Sequence, residues 1–200
     1  MQPLVSQWRP LAEPSWSAFD ATQTEGLVCA GYYGAVFDGR HIYNCPIRSH
    51  RDRSSVHGHV LRCDTHGDFH DPLSYRRFDT KVLGAQAVCF DGGAYDGRYV
   101  YFVPLLHGIV VRHDTQGDFE DTDSWEAVDA KPHGLGLNVG AVFDGRWLYF
   151  CAYGHSSMVR YDTRRPFAAG DSWECWDAAA TDGLDTGGFD GGFFDGRYVH

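Results

Sequence analysis

The sequence predicts an all-β fold made of a repeated unit of four short antiparallel strands. Three observations carry that expectation. The 200-residue chain is rich in aromatic residues (15%) and in glycine (24 residues), a composition suited to strands joined by tight turns. A set of short marks recurs along it at nearly fixed offsets. No stretch shows the apolar period of a helix of ~10–12 residues.

The first mark is Phe37-Asp38-Gly39-Arg40. It returns as Tyr95-Asp96-Gly97-Arg98, Phe143-Asp144-Gly145-Arg146 and Phe194-Asp195-Gly196-Arg197, with the aspartates 58, 48 and 51 residues apart. The second is Arg62-x-Asp64-Thr65, repeated at Arg112-x-Asp114-Thr115 and Arg160-x-Asp162-Thr163. The third is Ser15-Trp16, Ser74-Tyr75, Ser124-Trp125 and Ser172-Trp173. In each unit that has both marks, the Ser follows the second mark's arginine by 12 residues.

These marks assign the elements in turn. Strand one is short and ends in the aromatic residue of the first mark, as over 140–143. Asp-Gly makes a tight hairpin, the glycine accepting positive φ. Strand two follows, as over 99–103 and 147–151. Strand three lies over 110–113. Strand four lies over 125–129, with clean apolar–polar alternation. Four antiparallel strands per ~50 residues is the pattern of a β-propeller blade. The repeats span about 26–80, 84–130 and 135–178. Segment 1–25 supplies a strand four over 16–20 and a degenerate strand three near 4–8. Segment 187–200 supplies a strand one and the start of a strand two. Pairing both ends is expected to close a composite fourth blade and hide two sheet edges. The fold class is therefore a four-bladed β-propeller, one domain over 1–200. The fourth blade is short of chain: 14 residues run from Arg98 to Arg112 and from Arg146 to Arg160, but only three follow Arg197. A thin blade, a piece of a longer propeller, and completion by a neighbouring chain in a homo-oligomer are the three outcomes.

The unit resembles the kelch-type repeat, a family of propeller blades. The resemblance covers nearly the whole chain and rests on the aromatic strand two, on Arg160-Tyr161-Asp162 in strand three and on Trp173 opening strand four. It implies architecture and not activity, because such blades serve as actin binders, ligase adaptors and oxidases alike. The chain departs from the family where a double glycine follows strand two: Val103-Pro104 and Cys151-Ala152 stand there. It departs again where Cys63 and His113 replace the strand-three tyrosine.

Charge and composition exclude several classes. With 27 acidic and 17 basic residues the formal charge is −10, which argues against a nucleic-acid partner. No apolar run approaches the ~20 residues of a membrane span. Met1 to Pro10 lacks the basic start and apolar core of a signal peptide, so a reducing cytoplasm is expected. The six cysteines form no CxxC or other zinc spacing. Cys45 and Cys151 stand where the second unit has Val103, and Cys29 where it has Ala87, so they read as buried small hydrophobes.

Candidate functional residues are those that a repeat copies without an obvious turn role, and those that vary inside the repeated frame. His57, His107 and His155 each stand five residues before the strand-three arginine, on the loop between strands two and three. Arranged about an axis they could converge on a transition metal such as Zn, Cu, Fe or Ni. The competing expectation is that each ring hydrogen-bonds a carbonyl of its own blade. The first unit lengthens that loop with the polar stretch Ser49-His50-Arg51-Asp52-Arg53-Ser54-Ser55; His50, Arg51 and Arg53 are candidate ligand contacts. Gly34, Gly92, Gly140 and Gly191 share one position in strand one, where innermost strands crowd an axis. The positions before them vary. Tyr32, Tyr33, Asp91, Asn138 and Asp190 are expected to line the channel mouth, a set suited to hydroxyl-rich ligands. Asp38, Asp96, Asp144 and Asp195 are expected to be structural. So are Arg40, Arg98, Arg146 and Arg197, which are expected to bridge blades. Asp64, Asp114 and Asp162 with their threonines are expected to cap the turn after strand three.

The sequence favours a non-catalytic module that binds a small molecule, a glycan in the manner of a lectin, or a protein. An enzyme is the alternative: a metal on the three histidines, Asp91 or Asp190 as acid–base partner, and Tyr32 or Tyr33 orienting substrate. An assembly unit completed by a neighbouring chain is the third reading.

Overall fold

The structure is a computed structural model and describes residues 16–26, 30–48 and 55–200. Twelve strands form three four-stranded antiparallel sheets, each a simple meander in chain order. The first comprises β1 (Tyr32–Phe37), β2 (His41–Pro46), β3 (His59–Asp64) and β4 (Tyr75–Asp79). The second comprises β5 (Phe90–Tyr95), β6 (Tyr99–Pro104), β7 (Ile109–Asp114) and β8 (Trp125–Asp129). The third comprises β9 (Asn138–Phe143), β10 (Trp147–Ala152), β11 (Ser157–Asp162) and β12 (Trp173–Asp177). The first strands lie side by side, β5 against both β1 and β9. The architecture is all-β and propeller-like. Among the described residues no helix is long and apolar enough to cross a membrane.

Each mark in the sequence has a bonding role. In the first, the aspartate holds the hairpin. Asp96 Oδ1 accepts from the backbone N–H groups of Arg98 (2.8 Å) and Tyr99 (2.7 Å), and Oδ2 accepts from the Tyr101 hydroxyl (2.7 Å). Asp38 and Asp144 repeat the three bonds. The following glycine sits at φ 96–104° in all four copies, a region open to glycine at no steric cost. In the second mark, the aspartate caps the next turn and also receives the turn arginine. Arg40–Asp64, Arg98–Asp114 and Arg146–Asp162 are ion pairs of 2.6–2.7 Å. The threonine hydroxyl donates to that arginine's carbonyl (Thr65 to Arg40, 2.6 Å; Thr115 to Arg98, 2.7 Å). In the third mark, Ser124 back-bonds to Asp118 O, and Trp125 Nε1 donates to Phe119 O at 2.9 Å, a pairing repeated by Trp173 and Phe167 at 3.0 Å.

Arg40, Arg98 and Arg146 therefore join strands two and three of one sheet, and the expectation that they bridge blades is corrected for these three. The bridge is the strand-three arginine. Arg62 lies over the Phe119 ring and Arg112 over the Phe167 ring, both at 4.3 Å, and Arg112 donates to the Tyr161 hydroxyl of the next sheet. A guanidinium suits this position because it stacks flat on a ring while keeping N–H donors in plane. Phe78 of β4 stacks on Trp125 of β8 at 4.2 Å and 3°. These seams merge with two apolar cores, one between sheets one and two, the other between sheets two and three.

The C-terminal residues form a short hairpin: Phe193 and His200 exchange backbone bonds of 3.0 and 2.9 Å around the Asp195 turn. Phe194 and Val199 pack on Val139, Val142 and Cys151 of sheet three. Residues 16–20, expected as strand four, are not a strand, and among the described residues no ladder joins them to the hairpin. Phe19 stacks on Tyr75 at 4.5 Å and holds this segment against sheet one, the contact that Phe78 makes on Trp125. The strand three expected near 4–8 lies outside the described residues.

Replacing Asp96 with Ala orphans two backbone donors and the buried Tyr101 hydroxyl, a loss of about 2–3 kcal/mol at the usual cost of unmet buried donors. Urea unfolding of Asp96→Ala should show that loss with an unchanged slope. Asp195→Ala, whose equivalent bonds are exposed, should leave the midpoint nearly where it was.

Candidate functional site

The first residues of the inner strands and the last residues of the second strands meet at one end of the sheets. Tyr32 pairs with Pro46, Phe90 with Pro104, and Asn138 with Ala152. The Asp-Gly hairpins lie at the other end. The loops carrying His57, His107 and His155 therefore share an end with the variable positions of strand one.

Each inner strand is bulged just there. The ladder shifts register between Tyr32 and Ala35, between Phe90 and Gly93, and opposite Phe150 to Ala152. The bulge glycines Gly34, Gly92 and Gly140 have φ of 75°, 70° and 66°. A second constraint acts on the same atoms. A Cβ on Gly34 would lie 3.1 Å from Gly92 Cα, and one on Gly92 would lie 3.2 Å from Gly140 Cα. Backbone conformation favours glycine at all three positions, and strand spacing adds to it at Gly34 and Gly92. A bulge re-aims the side chain beside it, here Tyr33, Asp91 and Val139.

These neighbours differ in environment. Tyr33 is 61% exposed and Val139 is buried. Asp91 is half-buried, and Asp190 is exposed. Burial, then the nearby Asp190 carboxylate, pushes the Asp91 carboxyl up to about 6. Among the described residues no cation or hydrogen-bond donor offsets that rise. The Cys45 and Cys89 thiols border it; burial chiefly, with Asp91 adding, pushes Cys89 up to about 11 and Cys45 higher still. Both are inert, protonated thiols at neutral pH. Cys89 also holds φ 65°, where a side chain is strained, and its N–H donates to His57 O at 3.2 Å.

The histidines do not meet. Among the described residues no three His, Cys, Asp or Glu are grouped to hold a metal ion. His57 is buried and its Nε2 bonds Gly31 O at 3.2 Å. Burial chiefly pulls its ring down to about 4, so it is neutral at pH 7. His155 Nε2 bonds Leu137 O at 2.8 Å, the same position in sheet three, and its Nδ1 accepts from Ser157 N. His107 is exposed, at φ 68°. The loop-fastening expectation describes His57 and His155, and the convergent triad is corrected.

Asn138 is corrected as a ligand contact. It is fully buried, its Nδ2 donating to Cys151 O and its Oδ1 accepting from Gly136 N, both at 3.2 Å. Tyr32 stands edge-on to His57 at 5.7 Å. The expected contacts His50, Arg51 and Arg53 lie outside the described residues. What the structure brings together at the mouth is Asp91 with Asp190 and the exposed Tyr33 on the neighbouring strand. Sequence reasoning missed a second exposed cluster on sheet three, around Trp176 and Arg160. The signal for it was the spacing Trp173 to Trp176, which matches Tyr75 to Phe78.

The sign of the pH dependence follows from Asp91. Its folded carboxyl titrates near 6 and its unfolded one near 3.8. The folded state holds the proton more tightly, so this contribution to stability is present below 3.8 and lost as pH rises through about 6. His57 acts oppositely: stability is lost as pH falls from 6.5 toward about 4. Comparing Asp91→Asn with the parent cancels the histidine term. Thermal unfolding across pH should show Asp91→Asn more stable at pH 7 and the gap closing toward pH 4.

No family model matches the chain, and no curated protein matches it. Solved structures similar to it in fold include the three that follow. A glutaminyl cyclase of Myxococcus xanthus aligns with TM-score 0.38 and 12% identity over 66% of this chain and 47% of its own. A virginiamycin B lyase from Staphylococcus aureus aligns with TM-score 0.41 and 12% identity over 70% and 49%. A streptogramin B lyase aligns with TM-score 0.44 and 8% identity over 79% and 58%. This chain spans about half the length of those proteins, and the likeness is one of all-β, propeller-like architecture.

Proposed function

We propose that the chain is a ligand-binding propeller module whose site is the mouth where Tyr33, Asp91 and Asp190 stand. In this reading residues 1–200 are one domain of kelch-like repeats, and its fourth blade is composite. The single observation that supports the site is the Asp91–Asp190 pair. A half-buried carboxyl whose proton affinity is raised by burial and by a second carboxylate nearby, with no cation to offset it, forms a place where a bound positive charge is favourable. Tyr33 offers a ring face and a hydroxyl beside them. The ligand class that fits is a small polyhydroxylated molecule carrying an amine, such as an amino sugar: the amine answers the carboxylates, and the hydroxyls and ring answer Tyr33.

A second reading has Asp91 as a general acid–base, because a carboxyl near 6 can both give and take a proton at neutral pH. A hydrolytic activity whose rate falls on a limb near pH 6, and which Asp91→Asn abolishes, would select it.

Calorimetric titration with glucosamine and with glucose at pH 7.5 tests the first reading. Glucosamine should bind at least about tenfold more tightly, a difference of ~1.4 kcal/mol, and Asp190→Asn should erase the preference. Absence of binding by both sugars, or a preference unchanged in Asp190→Asn, would overturn it.

A further inference from the structure

Two of the three loop histidines reach across a seam, and each reaches the segment that carries a mouth carboxyl. The His57 ring holds the start of its own sheet: Nε2 donates to Gly31 O, which also accepts from Ile47 N–H. The His57 carbonyl accepts from Cys89 N–H at 3.2 Å, on the far side of the seam between sheets one and two. Cys89 lies two residues before Asp91. His155 repeats both bonds. Its Nε2 donates to Leu137 O at 2.8 Å, and its carbonyl accepts from Gly188 N–H at 3.1 Å. Gly188 lies two residues before Asp190. Gly31, Cys89, Leu137 and Gly188 are themselves one repeated position, three residues before Gly34, Gly92, Gly140 and Gly191.

His107 is the exception. It is exposed at φ 68°, and among the described residues it makes neither bond. The strand it would hold is β9, where the mouth position is Val139 and not a carboxylate. A bond across a seam therefore stands before each mouth carboxyl and is missing where the mouth residue is apolar. The first of these bonds ends on a strained residue. Cys89 holds φ 65°, a backbone that a residue with a side chain keeps only where its surroundings fix it. Its N–H is fixed by His57 O, and its carbonyl accepts from Leu105 N–H at 2.9 Å. The groups that face Asp91 are Asp190, Cys45 of β2 and Cys89, none of them a cation. Those that face the His57 ring are His59, Asp79 and Lys81.

We propose that His57 and His155 are the positioning residues of the mouth. Each fastens the start of its own sheet by its ring and the next carboxyl-bearing segment by its carbonyl, and together they fix how Asp91 and Asp190 stand to one another. Without its ring a loop is untied from its own sheet, and its carbonyl loses the fixed place from which it holds the next segment. Loss of the His57 ring frees the Cys89 segment and alters both the burial of Asp91 and its approach to Asp190. Loss of the His155 ring moves Asp190 alone. The consequence for ligands rests on the mouth being the binding site; the consequence for the two carboxyls does not.

A carboxyl-carbon NMR titration of Asp91 in the full chain tests this with His57→Ala, His155→Ala and His107→Ala, each also combined with Asp190→Asn. The Asp91 midpoint should fall from about 6 toward 3.8 in His57→Ala and in His155→Ala, and stay in place in His107→Ala. With Asp190→Asn present, His155→Ala should have no further effect. His57→Ala should still lower the midpoint there, because burial is the remaining cause. His57→Gln and His155→Gln keep a donor without a titratable ring and should restore the parent midpoint, which separates positioning from a charge effect. Glucosamine affinity should follow the midpoint, falling at least about tenfold in the two Ala variants. Should His57→Ala lose its β-sheet circular dichroism, the partly exposed His155 carries the same test. A midpoint that stays near 6 in both Ala variants, one that falls equally in His107→Ala, Gln variants that behave as Ala, or a parent midpoint already at 3.8 would overturn the assignment. The expected midpoints with no sugar bound by the parent would uphold it and overturn the binding reading alone.

Discussion

The close approach of the innermost strands is the constraint on which the rest depends. A Cβ on Gly34 would crowd Gly92 and one on Gly92 would crowd Gly140, and all three glycines hold a left-handed backbone. That contact sets how near the sheets lie at the axis. The distance fixes which side chains fit between sheets farther out: Arg62 on Phe119, Phe78 on Trp125, Arg112 on Phe167. The same bulge decides what faces the mouth. Asp91 is half-buried and beside Asp190 because the bulge at Gly92 turns it there. Packing at the axis and electrostatics at the mouth thus share one cause.

A second layer of order works at the far end of each sheet. In each of the three sheets one hairpin aspartate meets two backbone donors and a hydroxyl, and a second receives the turn arginine. Held by these bonds, the Asp-Gly ends stay uniform through all copies while the mouth ends vary. Division of labour between a fixed end and a variable end lets a repeated frame carry a site without weakening the frame.

Much of this was legible in the sequence. Strand four over 125–129 matches β8, and the Asp-Gly turns match because one residue type does one local job in every copy. The turn arginines were misjudged since pairing within a sheet or across a seam leaves the same sequence mark. His57, His107 and His155 looked convergent because equal spacing reports equal position and not ring direction; hydrogen bonds to Gly31 O and Leu137 O hold two of the rings to their own loops. Asn138 looked like a mouth residue by position, but its amide is spent on the backbone of β10 and of the preceding loop. Residues 16–20 carry a strand-four pattern, and the strand three expected beside them lies outside the described residues. Asp91 drew notice by variation inside a repeated frame, and the structure gives it a half-buried place near Asp190.

The central claim is that the mouth holds two interacting carboxyls, and a carboxyl-carbon NMR titration of Asp91 tests it most directly. The account predicts a midpoint near 6, moving down in Asp190→Asn. A midpoint at the ordinary 3.8, unmoved by that substitution, would contradict it.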